Sequence, residues 1–327
     1  MNNGETVTTQ NIFPQNTIAI VWDFDKTLIP YYMQKPLFEH FDVDEGRFWD
    51  EVNHLPEFFN ENGLDLVSQD TIYLNHMLTY VRHRLFKGLN NQLLRELGNQ
   101  IEFYDGLPNF FRTVKNRIQH DPRFSAFQVQ IEHYVISSGL RQMVLGSKLA
   151  PFIDGTWACE FVEAMPRPGY LQDAQITLVD DMKEIVEIGY VIDNTTKTRA
   201  LFEINKGVNK DHTIDVNAKV ADADRRVPFE NMIYIADGPS DIPVFSMLNQ
   251  NGGRTYAVYK PNSQKEFNQA NQLQRQGRVN SFGEADYTEG SKTFMWILNA
   301  VEEIAFRIVQ ERKVALSERL GQPPKHL

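Results

Sequence analysis

The sequence predicts an α/β protein: a Rossmann-like, mostly parallel sheet with helices on both faces, plus an inserted helical cap subdomain. Three observations predict it. Short uninterrupted apolar runs, such as IAIVW at 18–22 and MIYIA at 232–236, fit strands covered on both faces. These runs alternate with stretches of helical periodicity, the pattern of a parallel sheet between helical layers. After the first strand, residues 31–105 show helical patterning and no convincing strand. That is well over twice the roughly 30 residues a strand–helix–strand crossover needs.

Each element follows from local pattern. Residues 1–16 are a polar lead-in rich in Asn, Thr and Gln. IAIVW runs into the carboxylate-rich turn DFDKTLIP. In the insert, FDVDEGRFWDEVNHL places Phe48, Trp49, Val52 and Leu55 at helical spacing. Ile72, Leu74, Met77, Leu78, Val81 and Leu85 form a second stripe, and Asn91 to Phe103 offer a third. The expected division is therefore a core of 1–30 and 106–327 with a cap at 31–105. DGLPNFFRTVKNRI reads as a helix, and FQVQIEHYVISSGL, 127–140, as a strand feeding a Ser/Gly turn. FIDGTWACEFVEA and ITLVDDMKEIVEIGYVI contain short β-rich pieces, a candidate hairpin. KTRALFEINKG, 197–207, is a short helix stopped by Gly207. MIYIADGPSD is a strand entering a second acidic turn. The helix SDIPVFSML follows, with Ser240 as N-cap and Pro243 in the first turn. TYAVY, 255–259, is a strand and 264–277 a Gln-rich helix. From Gly290 a long amphipathic helix carries Phe294, Ile297, Leu298, Val301, Ile304, Ala305 and Ile308, before the tail LGQPPKHL.

Composition narrows the function. With 327 residues, 42% hydrophobic and 23% charged, the chain has ordinary globular usage and room for about two domains or one core with a large insertion. The single cysteine, Cys159, can form neither an internal disulfide nor a Cys-rich zinc site, so a reducing, cytoplasmic setting is expected. Apolar runs of about five residues fall far short of the roughly 20 that span a bilayer. No membrane partner is expected. The first 25 residues hold no Lys or Arg and show no signal-peptide pattern. A net charge of −10 repels phosphate backbones, which argues against a nucleic-acid partner while leaving room for one small phosphate in a local basic pocket.

The chemistry concentrates in two acidic turns. Asp23 and Asp25 follow a buried-type strand, two residues apart and so facing the same way. Carboxylates so placed repel unless a cation lies between them or one is protonated. Asp237 and Asp241 follow a second such strand. Taken singly, strand-end aspartates also cap helices and satisfy loop amides. Taken together, four carboxylates make a hard-oxygen site whose natural occupant is Mg²⁺.

The order DFDKT (23–27), SSG (137–139), a lysine before a helix, then DGPSD (237–241) resembles the haloacid dehalogenase-like superfamily, in its phosphoserine phosphatase-like branch. The resemblance covers about 17–30 and 105–260; the cap fits in position more than in sequence. It implies Asp23 as nucleophile and Asp25 as general acid and then base, with the Asp25 carbonyl also on the metal. It gives Thr27 an orienting role and makes Ser137, or the adjacent Ser138, a phosphate-binding hydroxyl, with Gly139 allowing close backbone approach. Lys197 is the expected phosphate clamp; Lys206 and Lys210 compete for the role. Asp237 is implied as a direct metal ligand. Asp241 either coordinates through water or holds the lysine, and Gly238 is the tight-turn residue. The expected activity is Mg²⁺-dependent hydrolysis of a small-molecule phosphate ester through an aspartyl-phosphate. The alternatives are a phosphotransferase or mutase of the same superfamily, or an inactive ligand-binding module. Weaker candidates in the insert are Glu45, Arg47, Trp49, Glu51, His54, His76, Arg82, His83 and Arg84. Cys159 reads as a buried small hydrophobe.

Overall fold

The computed structural model describes residues 14–166, 168–171 and 184–320. Its strands are β1 (Thr17–Trp22), β2 (Gln130–Leu140), β3 (Gly155–Val162), β4 (Glu187–Tyr190), β5 (Met232–Ala236), β6 (Arg254–Tyr259) and β7 (Ser281–Glu284). They form one sheet of order β4-β3-β2-β1-β5-β6-β7, parallel except for β4 against β3. β1 is buried along its whole length, as an apolar run at the centre of a sheet covered on both faces requires. Trp22 is in register with Val135 of β2 and Ile235 of β5. Asp23 and Asp237, just beyond β1 and β5, therefore emerge beside Ser137 in the carboxyl-terminal part of β2, where sheets of this kind place their sites.

Four helices fall in the insert: α1 (Lys35–Phe41), α2 (Glu45–Glu61), α3 (Ile72–Arg82) and α4 (Asn91–Gly98). Asp44 caps α2 by accepting from the Arg47 amide, and Asn90 caps α4 through the Leu93 amide. Phe38, Phe48, Tyr80 and Phe86 stack into a small core that α1, α2 and α3 share. α5 (Asn109–Gln119) and α6 (Pro122–Ser125) precede β2, and α7 (Arg141–Gly146) follows it. α8 (Thr196–Lys206), α9 (Ile242–Gln250), α10 (Gln264–Arg275) and α11 (Lys292–Leu320) complete the layers. α8 ends on Gly207 with φ +87, the left-handed stop its sequence predicts.

α4 of the insert packs against α7, backbone to backbone. A Cβ on Gly98 would overlap the Met143 carbonyl, and one on Gly146 the Arg95 carbonyl. Leu85 does not extend the α3 stripe: α3 stops at Arg82, Arg84 takes a left-handed φ of 65, and Leu85 is 50% exposed. Asp241, not Ser240, holds the N-cap position of α9, because residues 239–241 coil into a 3₁₀ turn; Pro243 does sit in the first turn. β7 carries no sequence signal, being four residues with Ser, Gly and Glu among them. The candidate hairpin exists as β3 and β4, whereas ITLVDDM, the lead-in 1–13 and the tail from 321 lie outside the described residues.

Candidate active site

The loop after β1 is built to hold two carboxylates inward. Thr27 is fully buried and donates its hydroxyl to Asp23 Oδ2 at 3.2 Å. Its carbonyl accepts from Tyr287 at 2.6 Å, which pins the loop to the far side of the core. Lys26 takes the left-handed conformation, φ 58. Asp25 Oδ1 accepts the Met33 amide at 2.9 Å. Burial, with Asp23 alongside, pushes the Asp25 carboxyl well above its ordinary range.

Lys197, in the first turn of α8, is 1% exposed. Its ammonium donates to Asp23 Oδ1 at 2.9 Å and Asp241 Oδ1 at 2.7 Å. Burial works against the charged ammonium, but the two carboxylates overcome it and raise its pKa. Asp241 is fully buried and also accepts from Tyr234 at 2.6 Å and from Ser240 at 2.9 Å. Of the two readings of Asp241, the geometry matches the one that holds the lysine. Lys206 instead donates to the Val216 and Ala218 carbonyls, and Lys210 lies 3.9 Å from Glu132.

One carboxylate oxygen from each of Asp23, Asp237 and Asp241 lies within 4.8 Å of the others. The single buried ammonium does not neutralise this group. Burial and the neighbouring Asp23 and Asp241 push Asp237 up to about 8, and burial takes Asp23 to about 6 despite Lys197. Excess carboxylate charge around hard oxygen donors is what a divalent cation such as Mg²⁺ fits.

The second motif differs in detail from its expectation. Ser137, Ser138 and Gly139 lie within β2, at an irregular carboxyl end where its register with β3 shifts. Ser137 is buried and its Oγ accepts the Gly139 amide at 3.0 Å. What approaches Gly139 closely is the Met33 thioether, which a Cβ would displace. The Ser138 carbonyl accepts from Tyr73 at 2.6 Å and from the Cys159 thiol at 3.3 Å. Gly238 is extended, φ 180, and its missing side chain makes room for the Gln269 amide rather than for a left-handed turn. Asp23, Asp25, all three residues of the second motif, Lys197 and Asp237 line one cavity of about 280 Å³. The insert covers it with Tyr32, Gln34, Trp49, Asn53, Asp70 and Tyr73.

The other insert candidates stay away from the cavity. His76, Tyr80 and Arg47 converge on Glu51 at 2.9, 2.7 and 2.9 Å. His54 contacts the Asp50 carbonyl, and Arg84 pairs with Glu184. Cys159 is buried, which raises its thiol pKa. Sequence reasoning missed Tyr234, hidden in the apolar run MIYIA. The available signal was that a phenol in a fully buried strand needs a polar partner.

Three motifs from adjacent strand ends and Lys197 from the first turn of α8 converge here, in the order that resembles the haloacid dehalogenase-like superfamily. The chain belongs to one family with a protein of Borreliella burgdorferi described as uncharacterized. The two are 38% identical over 291 residues, 88% of this chain and 97% of that one. No family model matches the chain. Among solved structures, it is similar to a HAD-family hydrolase from Salmonella enterica serovar Typhi (15% identity, 84% of this chain and 68% of that one, TM-score 0.46). Two phosphoserine phosphatase structures are also similar. One holds a phospho-aspartyl intermediate analogue (16% identity, 82% and 93% covered, TM-score 0.42). The other is a substrate-bound complex (16% identity, 81% and 92% covered, TM-score 0.44).

Proposed function

We propose that the protein is a Mg²⁺-dependent phosphomonoesterase acting on a small-molecule phosphate ester through an aspartyl-phosphate. The observation that carries this reading is the Lys197 ammonium held between Asp23 and Asp241, with Asp237 beside them on the lining of a polar cavity. Asp23, Asp237 and the Asp25 carbonyl would hold Mg²⁺, with Asp241 behind Lys197. When bound, the ion neutralises phosphate and carboxylate charge.

The chain's own groups then divide the reaction. Thr27 fixes the rotation of the Asp23 carboxylate, which attacks phosphorus as the ester oxygen leaves with the electrons of the broken P–O bond. Asp25, whose carboxyl burial shifts toward the protonated form, gives its proton to that oxygen. It then takes a proton from the water that opens the aspartyl-phosphate, releasing phosphate and restoring Asp23. Lys197 and the Ser137 hydroxyl, whose oxygen is held by the Gly139 amide, bind the phosphoryl oxygens. Residues 31–105 act as the cap, although α4 packs on the core. A buried lone thiol fits a reducing, cytoplasmic setting.

The test is phosphate release from a generic aryl phosphate and a set of natural esters by purified protein. Activity should require Mg²⁺, vanish reversibly with chelator and not be restored by Ca²⁺, which prefers more oxygen ligands. Full activity in metal-free protein would contradict the reading.

A further inference from the structure

Met33 joins two parts of the site that the sequence keeps far apart. Its amide donates to Asp25 Oδ1 at 2.9 Å. Its thioether accepts the Leu140 amide at 3.0 Å, at the end of β2 that carries Ser137 and Gly139. The side chain is fully buried and lies against Gly139, where a Cβ would stand 2.3 Å from the Met33 methyl carbon and 2.7 Å from its sulfur. Leu140 is buried too, so water does not reach its N–H. A buried amide left unpaired is costly, and the thioether, a weak acceptor on a flexible stem, is what reaches it here. The two bonds tie the turn before α1 to the strand end that faces the phosphate.

We infer that Met33 is a positioning residue for proton transfer: its thioether, seated against Gly139 and on the Leu140 amide, fixes the backbone N–H that orients the Asp25 carboxyl. The inference rests on the phosphatase reading, in which Asp25 serves the leaving oxygen, and deepens it. A carboxyl can rotate about its side-chain bonds, and few rotations aim a proton at an oxygen on phosphorus. Oδ1, accepting from the Met33 amide, acts as the carbonyl oxygen, which leaves Oδ2 to carry the proton. The amide can set that orientation only if it is itself held. Met33 lies in a turn, outside the helices and strands, so its side chain supplies the anchor that a ladder of backbone bonds would otherwise give. Gly139 then has a second reason to lack a side chain, because it is the seat of the thioether.

The experiment measures kcat/KM for dinitrophenyl, p-nitrophenyl and phenyl phosphate with Mg²⁺. It uses wild-type protein, Met33→Leu, Gly139→Ala and Asp25→Asn. This constant reports the steps up to departure of the phenol, before water enters. Dinitrophenoxide leaves without a proton, whereas phenoxide, a far stronger base, needs one. Met33→Leu keeps the bulk and deletes the acceptor. It should lower kcat/KM for phenyl phosphate by about tenfold and for dinitrophenyl phosphate by less than about twofold, a partial loss beside the roughly 10²–10⁴-fold that a general acid contributes. Gly139→Ala pushes on the thioether from the other side. Beyond any cost common to all three esters through the phosphate, it should steepen the same dependence on the leaving group. A merely structural role for Met33 would slow the three esters alike, and that result, or no change at all, would overturn the inference. If Met33→Leu does not fold, Gly139→Ala protein with the wild-type dependence overturns it instead. Asp25→Asn separates this inference from the reading beneath it. A steep profile for Asp25→Asn with a flat one for Met33→Leu removes only the role of Met33. Absence of wild-type turnover for every ester would sink the phosphatase reading itself.

Discussion

Lys197 is an ammonium withdrawn from water because two carboxylates receive it. Removing one partner of such a group strands buried charge. Lys197→Met should therefore abolish phosphatase activity and lower stability by about 3 kcal/mol in chemical denaturation. A loss below about 1 kcal/mol would show that the lysine is not the counter-charge of this site. Tyr234→Phe removes one donor to Asp241 and leaves the lysine in place. It should cost about 1 kcal/mol, with activity reduced but measurable. Activity equal to wild type would mean that Asp241 is positioned without the phenol. At this scale the sequence was informative wherever residue type and spacing carried the signal. Asp23, Asp25, Asp237 and Asp241 stand out as polar residues where an apolar run stops. Lys197 did not stand apart from Lys206 and Lys210, because choosing among them depends on which face of α8 meets the sheet.

The contact between α4 and α7 depends on two glycines that let their backbones meet. Gly146→Ala would drive a methyl into the Arg95 carbonyl, and neither backbone can yield cheaply. A loss of about 3 kcal/mol is expected in denaturant unfolding, at the upper end of ordinary overpacking. A neutral effect would mean the two helices are free to part. On α2, opposite faces should behave differently. Asn53 lines the cavity, so Asn53→Ala should change the relative kcat/KM among esters. Glu51 ties Arg47, His76 and Tyr80 together outside the cavity, so Glu51→Gln should change stability and scale all esters alike. Equal scaling by both variants would remove the cap from specificity. The insert's helices were legible because 3.6-residue periodicity survives whatever a helix packs against. The partner of α4 was not legible, since an amphipathic stripe shows that a face is buried and not what buries it. β7 was missed for a related reason: a short strand with one neighbour needs little hydrophobic pattern.

Across the whole molecule, the sheet that positions the site also buries His133, whose Nδ1 accepts the Trp22 indole N–H at 3.2 Å. Burial pushes its pKa from 6.5 down to about 3. Between those values the unfolded chain binds a proton that the native state does not. The stabilising contribution of neutral His133 is therefore complete above pH 6.5 and is lost as pH falls toward 3. From pH 6.5 to 5 this amounts to about 2 kcal/mol. His133→Phe should lose less stability than wild type over that interval by about this amount; parallel losses would show that His133 does not govern the acid limb.

The proposed reaction begins with attack on phosphorus by a carboxylate at the end of β1. Its most direct test is turnover of an aryl phosphate with Mg²⁺ by Asp23→Asn protein, set beside wild type and freed of contaminating phosphatase. The amide is nearly isosteric and keeps the fold but cannot act as the nucleophile. A loss of at least about 10³-fold, or about 4 kcal/mol of barrier, is expected. Turnover close to wild type would place the reaction on another residue and contradict the proposal.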